Sequence, residues 1–338
     1  MDNGWVISRT GMPGPLLAEC LEAAIAAPSV HNTQPWLFRL RDGGVDVLAD
    51  RSRQLGVIDP QGREVAISVG AAVFNLRVAM LARGRLPILR PLPYPDRPAV
   101  LARVSPGPIA NRRSDTAHLL AEAIPRRRTN RQPFEDTPVP APVLADLAVA
   151  AKAEGAMLHV LDEERRNAVF GLVRTAENRR RWDAGYQAEL SRWAHREPGR
   201  RDGVPPEAFG PWPVLESVPI RDFGPARPPR RRHAEFFEHE PVAGVLYSSG
   251  DGAREWLRAG QALERTLLTA TVHGLATTLM TQPLEFPELR DLLSDAAARR
   301  TAQAIIRIGY GPPSPATPRR PLSEVLLPGR ASAGVPTR

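Results

Sequence analysis

Cysteine is almost absent from this sequence, which has 338 residues and a single cysteine, Cys20. One cysteine cannot form a disulfide framework or a cysteine-based zinc or iron–sulfur site. The N-terminal residues, Met1–Met12, lack the basic segment followed by an apolar segment that marks a signal peptide. No apolar run approaches the roughly 20 residues that a membrane helix needs. These absences predict a soluble, cytoplasmic protein without a metal centre.

Lysine is equally scarce, because Lys152 is the only one. The chain has 45 Lys+Arg against 37 Asp+Glu, a net charge of +8 carried almost entirely by arginine. Such a basic chain could bind nucleic acid. However, its basic clusters are short and dispersed among acidic residues, and no zinc-finger, RNA-recognition or basic-zipper pattern is present. We therefore expect no nucleic-acid partner.

Several common catalytic motifs are missing, namely GxGxxG, the Walker loop, HExxH and GxSxG. The segment HAEFFEHE places His233 and His239 among glutamates. Their spacing of six suits neither one face of a helix nor one face of a strand. The sequence therefore predicts an exposed charged stretch there and not a metal site.

The apolar pattern is typical of a folded chain of about two domains, with 42% hydrophobic residues. Helical and strand periodicities repeat in the same order along the two parts of the sequence. The first part is predicted to contain helices at Leu16–Ala27 and Val65–Leu81 and strands at Leu37–Leu40, Val45–Ala49 and Val100–Val104. The second is predicted to contain helices at Val143–Ala153 and Arg254–His273 and strands at Met157–Leu161 and Ala304–Ile308.

The two long helices also repeat a glycine spacing. Gly70 precedes Gly84 by 14 residues, and Gly260 precedes Gly274 by the same distance. Glycine inside a helix costs about 1 kcal/mol relative to alanine, so its presence indicates a packing reason such as a close helix–helix contact. We interpret the repeat as a duplication, although two Ala/Leu-rich helices could also match by coincidence.

The segment Glu197–Pro241 is rich in proline and arginine, including the run Arg230–Arg232. This composition does not favour a regular element, so the segment is either a disordered linker or an ordered loop. Its aromatic residues favour the second interpretation, because disordered linkers contain few of them. We expect an ordered lid.

Three polar clusters are candidates for a binding site. The loop PSVHNTQPW at Pro28–Trp36 holds hydrogen-bonding side chains between two prolines, which suits a planar heterocycle, although capping residues in a turn are the alternative. Four arginines fall within six residues of the segment Pro125–Phe134, which suits a phosphate group, or else a solvated basic loop. The pair Arg319–Arg320 lies in the C-terminal loop.

These clusters resemble known motifs. The segment APSVHNTQPW is similar to the flavin-ring loop of the FMN-dependent nitroreductases, and RRRTNRQPF is similar to their phosphate loop. The closing segment GYGPPSPATPRRPLSEVL resembles their C-terminal Gly-Tyr-Pro…Arg-Arg-Pro segment. The order of these pieces, over roughly residues 16–328, most resembles the Acg family of actinobacterial flavoproteins within that superfamily.

The resemblance implies an α+β nitroreductase fold made of two fused half-repeats, a pseudo-dimer in one chain. The first half would span residues 14–118, and the second would span 119–328 with 197–241 as a lid insertion. The first half has the ring loop but no arginine at Gly11–Pro15. The second half has the arginine loop but reads AAKAEGAMLHVL where a ring loop belongs. One composite FMN site per chain follows, which needs no homodimer.

The resemblance also implies roles for individual residues, with no dedicated catalytic acid. The flavin ring would lie against Pro28, Ser29, Val30, Asn32 and Gln34, with His31 shaping the loop. The phosphate and ribityl tail would bind Arg127, Arg128, Thr129, Arg131, Arg319 and Arg320. Thr281 and Gln282 would lie near flavin N5. The expected activity is transfer of hydride from NAD(P)H to a nitro, quinone or similar acceptor. The alternative is a non-catalytic protein that sequesters FMN under its lid.

Overall fold

A computed structural model describes residues 12–328, except 113, 195, 196, 198, 216 and 224–232. Its strands, numbered along the chain, form two main sheets. The strands are β1 Trp36–Arg41, β2 Gly44–Ala49, β3 Arg85–Pro91, β4 Val100–Ile109, β5 Met157–Val160, β6 Trp212–Pro213, β7 Ala234–Glu235, β8 Val242–Ser248, β9 Ala276–Leu279, β10 Thr301–Gly309 and β11 Leu326–Leu327. The first sheet has the order β11-β1-β2-β4-β3, and the second has the order β5-β8-β10-β9. The short strands β6 and β7 pair with each other.

The helices include every predicted one, with ends shifted by a few residues. They are α1 Gly14–Ile25, α2 Arg63–Ala82, α3 Asp115–Ala123, α4 Ala141–Ala153, α5 Glu163–Arg180, α6 Ala184–Trp193, α7 Ala253–Val272, α8 Pro287–Leu293 and α9 Leu322–Val325. Helix α5 was not predicted from the sequence, because it is rich in charged residues and only a narrow apolar face is buried. Its start is fixed by the Asp162 side chain, which accepts a hydrogen bond from the Arg165 backbone N–H.

The two long helices, α2 and α7, cross where their glycines meet. A Cβ added to Gly70 would lie 3.0 Å from the Gly260 Cα and would overlap the Leu257 carbonyl oxygen. A Cβ added to Gly260 would overlap the Ile67 carbonyl oxygen in the same way. The predicted close helix–helix contact is therefore confirmed, and only glycine permits this separation of the two backbones.

Helix α2 departs from one expectation. An 18-residue window of this 20-residue helix has a mean hydropathy of 1.9, enough by length and composition for a membrane span, so the expectation that no apolar run approaches that length was wrong. Within the protein, however, 83% of this apolar window is buried. Helix α2 packs between the first sheet, α1 and α7, as the central helix of a folded core does.

The end of the chain returns to the first sheet. Strand β11 pairs in parallel with β1, with Leu326 opposite Phe38. The predicted boundary between residues 118 and 119 lies inside α3. The division into two halves therefore stays a prediction. The N-terminal segment judged for a signal peptide, apart from Met12, and the Arg230–Arg232 run lie outside the described residues.

Candidate functional site

Two adjoining cavities lie between the ring loop and the arginine loop. The inner cavity spans about 720 Å³, open solvent at its mouth included, and is lined mainly by the ring loop, α2, the arginine loop and the lid segment. The arginine cavity spans about 840 Å³ on the same basis and is lined by the ring loop, the arginine loop and the C-terminal loop. Because the two share lining residues, they form one continuous cleft. The shared residues are Pro28, Ser29, His31, Thr129 and Arg131.

The ring loop is held in an unusual backbone conformation. His31, Asn32 and Gln34 have φ values of 46°, 53° and 51°, in the left-handed region that non-glycine residues rarely adopt. The Ser29 hydroxyl accepts a hydrogen bond from the Gln34 backbone N–H at 2.9 Å. The Asn32 amide donates to the carbonyl of Gly203 at 2.9 Å. Such strain persists only where the surroundings fix it, and here the lid segment helps to do so.

His31 lies in this strained loop and borders both cavities. Burial lowers the pKa of its imidazole well below the ordinary value, and the positive charges of Arg221 and Arg131 lower it further. The ring is therefore neutral at pH 7. Neither ring nitrogen has a hydrogen-bond partner, and the Phe223 ring lies edge-on at 5.5 Å. A neutral imidazole here can donate or accept a hydrogen bond to a ligand, but it cannot supply a positive charge.

The arginine cavity has an excess of positive charge. Arg127 is 4% exposed, and its Nε lies 3.8 Å from the carboxylate of Glu264. Its Nε and Nη1 atoms make no hydrogen bond. Arg319 donates to Asn32 Oδ1 at 2.9 Å, but its Nε is also without a partner. Buried donors without acceptors are costly. This arrangement fits a binding site for an anion such as phosphate.

Electrostatics reinforces that conclusion. Burial lowers the pKa of Arg319 to about 9, and the neighbouring Arg127 contributes to the decrease. Burial also lowers the pKa of Arg127. Arg128 adds a third guanidinium to the cavity wall. With Arg131, four arginines line this cavity and one carboxylate, Glu264, lies near them, so a bound dianion would offset much of the local positive charge.

The lid segment supplies part of the inner cavity. Arg221 donates hydrogen bonds to the Tyr186 hydroxyl at 2.8 Å and to Thr281 Oγ1 at 3.1 Å. It also pairs with the buried Glu285. Burial raises the pKa of Glu285 to about 7, although the positive charge of Arg221 opposes that shift. These contacts fix the lid residue Arg221 against the cavity wall.

Phe223 forms a second lid contact. Its ring stacks on Phe209 at 5.2 Å between centroids. The guanidinium of Arg131 lies 4.9 Å from the centre of the Phe223 ring. Phe223 is 2% exposed and lines the inner cavity. This part of the predicted lid is therefore ordered and lies beside the cleft.

Most of the residues predicted from sequence come together in this cleft. Those that line it are Pro28, Ser29, Val30, His31, Asn32, Arg127, Arg128, Thr129, Arg131, Thr281 and Arg319.

Three predicted residues, Gln34, Gln282 and Arg320, lie behind the cleft wall. The Arg320 backbone N–H donates to Gln34 Oε1 at 2.8 Å. The Gln282 amide donates to Glu177 Oε1 at 3.0 Å. Because their polar groups face protein atoms, their geometry supports the loops around the cleft. Direct contact with a cofactor stays a prediction for them.

Other residues of the cleft were not predicted from the sequence. Arg221 and Phe223 fall in the proline-rich segment, where aromatic content indicated docking but not which residues would dock. Glu264 lies on α7 and is fully buried. A single carboxylate on the apolar face of a long helix was the available signal for it.

The two histidines of HAEFFEHE lie away from the cleft and are exposed. His239 Nδ1 lies 3.0 Å from Asp136 Oδ2. Within the described part of the chain, no group of three or more His, Cys, Asp or Glu side chains could hold a metal ion.

Comparison with known proteins identifies the family. No family model matches the chain. The Mycobacterium tuberculosis (strain ATCC 25618 / H37Rv) protein "Putative NAD(P)H nitroreductase acg" is 32% identical over 318 residues, covering 92% of this chain and 95% of the relative. A second protein of that strain, also named as an NAD(P)H nitroreductase, is 34% identical over 314 residues, covering 90% of this chain and 89% of the relative.

Solved structures give weaker likenesses. An FMN-dependent nitroreductase from Mycobacterium smegmatis, solved with NADPH, is 17% identical with a TM-score of 0.38, covering 64% of this chain and all of that chain. A Bacteroides fragilis nitroreductase with bound FMN is 13% identical with a TM-score of 0.32, covering 65% of this chain and 98% of that chain. The family assignment therefore rests on the sequence relatives.

The chain belongs to the Acg family of nitroreductases. The predicted family is confirmed, and with it the α+β nitroreductase fold. The pseudo-dimeric arrangement and the covering role of the lid stay predictions.

Proposed function

We propose that this chain binds one FMN in the composite cleft and uses it as an NAD(P)H-dependent oxidoreductase. The observation that carries this proposal is the set of buried, unpaired guanidinium nitrogens of Arg127 and Arg319 at one end of the cleft. The strained ring loop, Pro28–Gln34, forms the wall toward the other end. An anion site next to a polar loop suits a phosphorylated flavin.

Different residues would contact the two ends of the cofactor. Arg127, Arg128 and Arg319 would hold the phosphate, because charge-assisted hydrogen bonds contribute about 1.5–3 kcal/mol each. The ring loop would face the polar edge of the isoalloxazine. When bound, FMN accepts a hydride from a nicotinamide and passes it to an acceptor. The acceptor class we propose is a nitro compound, a quinone or a similar small molecule.

The corresponding position in the other part of the chain supports a single site. The loop after α4 has Glu154 where the loop after α1 has the start of the ring loop. Glu154 is paired with Arg77 at 2.6 Å and with Arg265 at 2.9 Å. A Cβ added to the next residue, Gly155, would lie 3.0 Å from the Arg258 side chain. Paired charges and a long side chain fill this region, so we expect no second flavin and no need for a partner chain.

The lid favours a second candidate function, in which the protein sequesters FMN without turnover. Phe223 and Arg221 already form part of the inner cavity wall. A wall that covers the open face of the flavin would stop a nicotinamide from stacking there. Sequestration and slow oxidoreduction then differ by how far these residues cover the ring.

The test is anaerobic reduction of the purified, FMN-loaded protein by NADPH and NADH, followed through the flavin absorption band. Bleaching supports the oxidoreductase, and a persistent band supports sequestration. Phe223→Ala opens the cavity wall, whereas Phe236→Ala removes an exposed ring of the same segment as a matched control.

If the lid limits nicotinamide access, Phe223→Ala is expected to accelerate bleaching about tenfold or more while FMN stays bound, and Phe236→Ala is expected to have no effect. Equal bleaching rates in the wild type and both variants would mean that the lid does not limit nicotinamide access. Absence of bound FMN in the wild type would contradict both candidate functions.

We further propose a cytoplasmic location without a membrane or nucleic-acid partner. The burial of α2 inside the fold supports the absence of a membrane partner. The pairing of surface arginines with acidic side chains supports the absence of a nucleic-acid partner, because these guanidiniums are not free for phosphate backbones.

A further inference from the structure

The buried carboxylate of Glu264 has an unusual position. It lies on α7 with no exposed surface. Neither of its oxygens has a hydrogen-bond partner at good geometry, although the Asn75 side chain lies close enough to lower its pKa. Its nearest cation is Arg127, at 3.8 Å. A fully buried carboxylate without hydrogen bonds is costly when ionised, so its charge depends on its neighbours.

Those neighbours also form the anion site. The groups that act on Glu264 are Arg127 from the loop after α3, Arg319 from the C-terminal loop, and the Asn75 amide from α2. Arg127 and Arg319 line the arginine cavity, but Glu264 lies behind them and is not part of its wall. Glu264 therefore acts on a ligand from behind the two arginines, without contacting it.

We propose that Glu264 couples binding of a phosphate dianion to uptake of a proton. In the ligand-free protein the carboxylate is the counterion of Arg127. A dianion in the arginine cavity takes over that role and also repels the carboxylate. Glu264 then binds a proton from solvent, which leaves the arginines to the phosphate. Glu264 is thus a positioning residue, and this inference rests on the proposed FMN site.

The pKa of Glu264 determines whether FMN affinity rises or falls with pH. Burial raises the pKa of Glu264 to about 7, against the lowering effects of Arg127 and Asn75. Bound phosphate would raise this pKa further. Between the two values, binding consumes a proton, so affinity falls as pH rises. A further increase of one pKa unit corresponds to about a tenfold limit in affinity.

The ligand itself contributes little above neutrality. A phosphate monoester loses its second proton with a pKa of about 6. FMN is therefore mainly a dianion from about pH 6.5 upward. Riboflavin has no phosphate and is the natural control ligand, because it would occupy the ring end of the cleft without meeting Arg127.

The experiment measures FMN and riboflavin dissociation constants from pH 6.5 to 8.5 in apoprotein reconstituted with each flavin. The wild type is compared with Glu264→Gln, which fixes the side chain in a neutral form. Asp59→Asn is the matched control, because Asp59 is another buried carboxyl whose pKa is raised, to about 6, but it does not line the arginine cavity.

We expect wild-type FMN affinity to fall about fivefold across this range, with riboflavin affinity unchanged. Glu264→Gln is expected to lose this dependence and to bind FMN more tightly than the wild type at pH 8.5. Asp59→Asn is expected to behave as the wild type. Tighter binding by a variant is a result that simple loss of structure does not produce.

Two results would overturn the inference while leaving the FMN site intact. One is weaker FMN binding by Glu264→Gln at every pH, which would make Glu264 a fixed ion-pair partner. The other is an unchanged pH dependence in that variant, which would mean that another group, such as Arg319, takes up the proton when FMN binds. Failure of the wild type to bind FMN at any pH would instead contradict the proposed function.

Discussion

The loops that follow α1 and α4 are counterparts under the predicted duplication, yet they differ in almost every property. The first, Pro28–Trp36, places three non-glycine residues in the left-handed region and borders a cleft. The second loop contains Glu154 and Gly155, and arginine side chains occupy the space beside it. In the proposed single-site arrangement, the loops and charges beside α2 and α7 decide which of the two positions is open.

Two glutamates, Glu154 and Glu264, show the same contrast in chemical terms. Glu154 is paired with two arginines at hydrogen-bonding distance, and the cluster is complete without a ligand. Glu264 approaches Arg127 only to 3.8 Å, and nitrogens of that arginine stay without acceptors. A satisfied cluster leaves no donor for a ligand, whereas unpaired buried donors suit an anion.

The largest expected effect, on the free energy of unfolding, comes from disrupting the close contact between α2 and α7. Gly260→Ala would place a methyl group on the Ile67 carbonyl oxygen. We expect a loss of about 3 kcal/mol or more in the free energy of unfolding, because overpacking of this kind forces two backbones apart. Urea denaturation followed by circular dichroism measures it.

Gly171→Ala is the matched control for this change. Gly171 lies inside α5, and a Cβ there would meet no atom within 4 Å. We expect that substitution to stabilise the protein by up to about 1 kcal/mol, from helix propensity alone. Equal effects of the two alanines would mean that the crossing of α2 and α7 does not depend on glycine.

A smaller effect should follow from removing one arginine of the open site. Arg128→Ala is expected to weaken FMN binding roughly 10- to 100-fold, since one charge-assisted hydrogen bond contributes about 1.5–3 kcal/mol. Riboflavin binding should not change. Fluorescence titration of the apoprotein with each flavin measures both.

Arg126→Ala serves as the control for that titration. Arg126 is an exposed neighbour whose Nε donates to the Glu122 carbonyl and which does not line the arginine cavity. It should leave the affinity for both flavins close to that of the wild type. If Arg128→Ala weakened riboflavin as strongly as FMN, that arginine would act on the ring or on folding and not on the phosphate.

The sequence predicted the parts of this comparison that depend on local patterns. Apolar periodicity was sufficient for α1, α2, α4 and α7, and the glycine spacing was sufficient for the contact between α2 and α7. The polar loop and the arginine loop were recognisable because their residues are close together along the chain. Their meeting in one cleft was implied by resemblance, since nothing in local spacing brings residue 29 beside residue 129.

The rest depends on contacts between distant residues. The partners of Glu154 come from α2 and α7, so its pairing could not be read from the loop itself. Arg221 reaches Tyr186 and Glu285 across the fold, and these contacts decide that it faces the cavity. The same reasoning explains Gln34 and Arg320, which looked like ligand groups in sequence but hydrogen-bond to each other.

The central claim is that only one of the two corresponding positions is open, and the flavin content of the protein tests it most directly. The purified chain, saturated with FMN and freed of excess, would be denatured, and the released flavin would be separated by chromatography and quantified against the protein concentration. The account predicts close to one FMN per chain and no FAD. Two FMN per chain would contradict it, because the position around Glu154 would then be a functioning site.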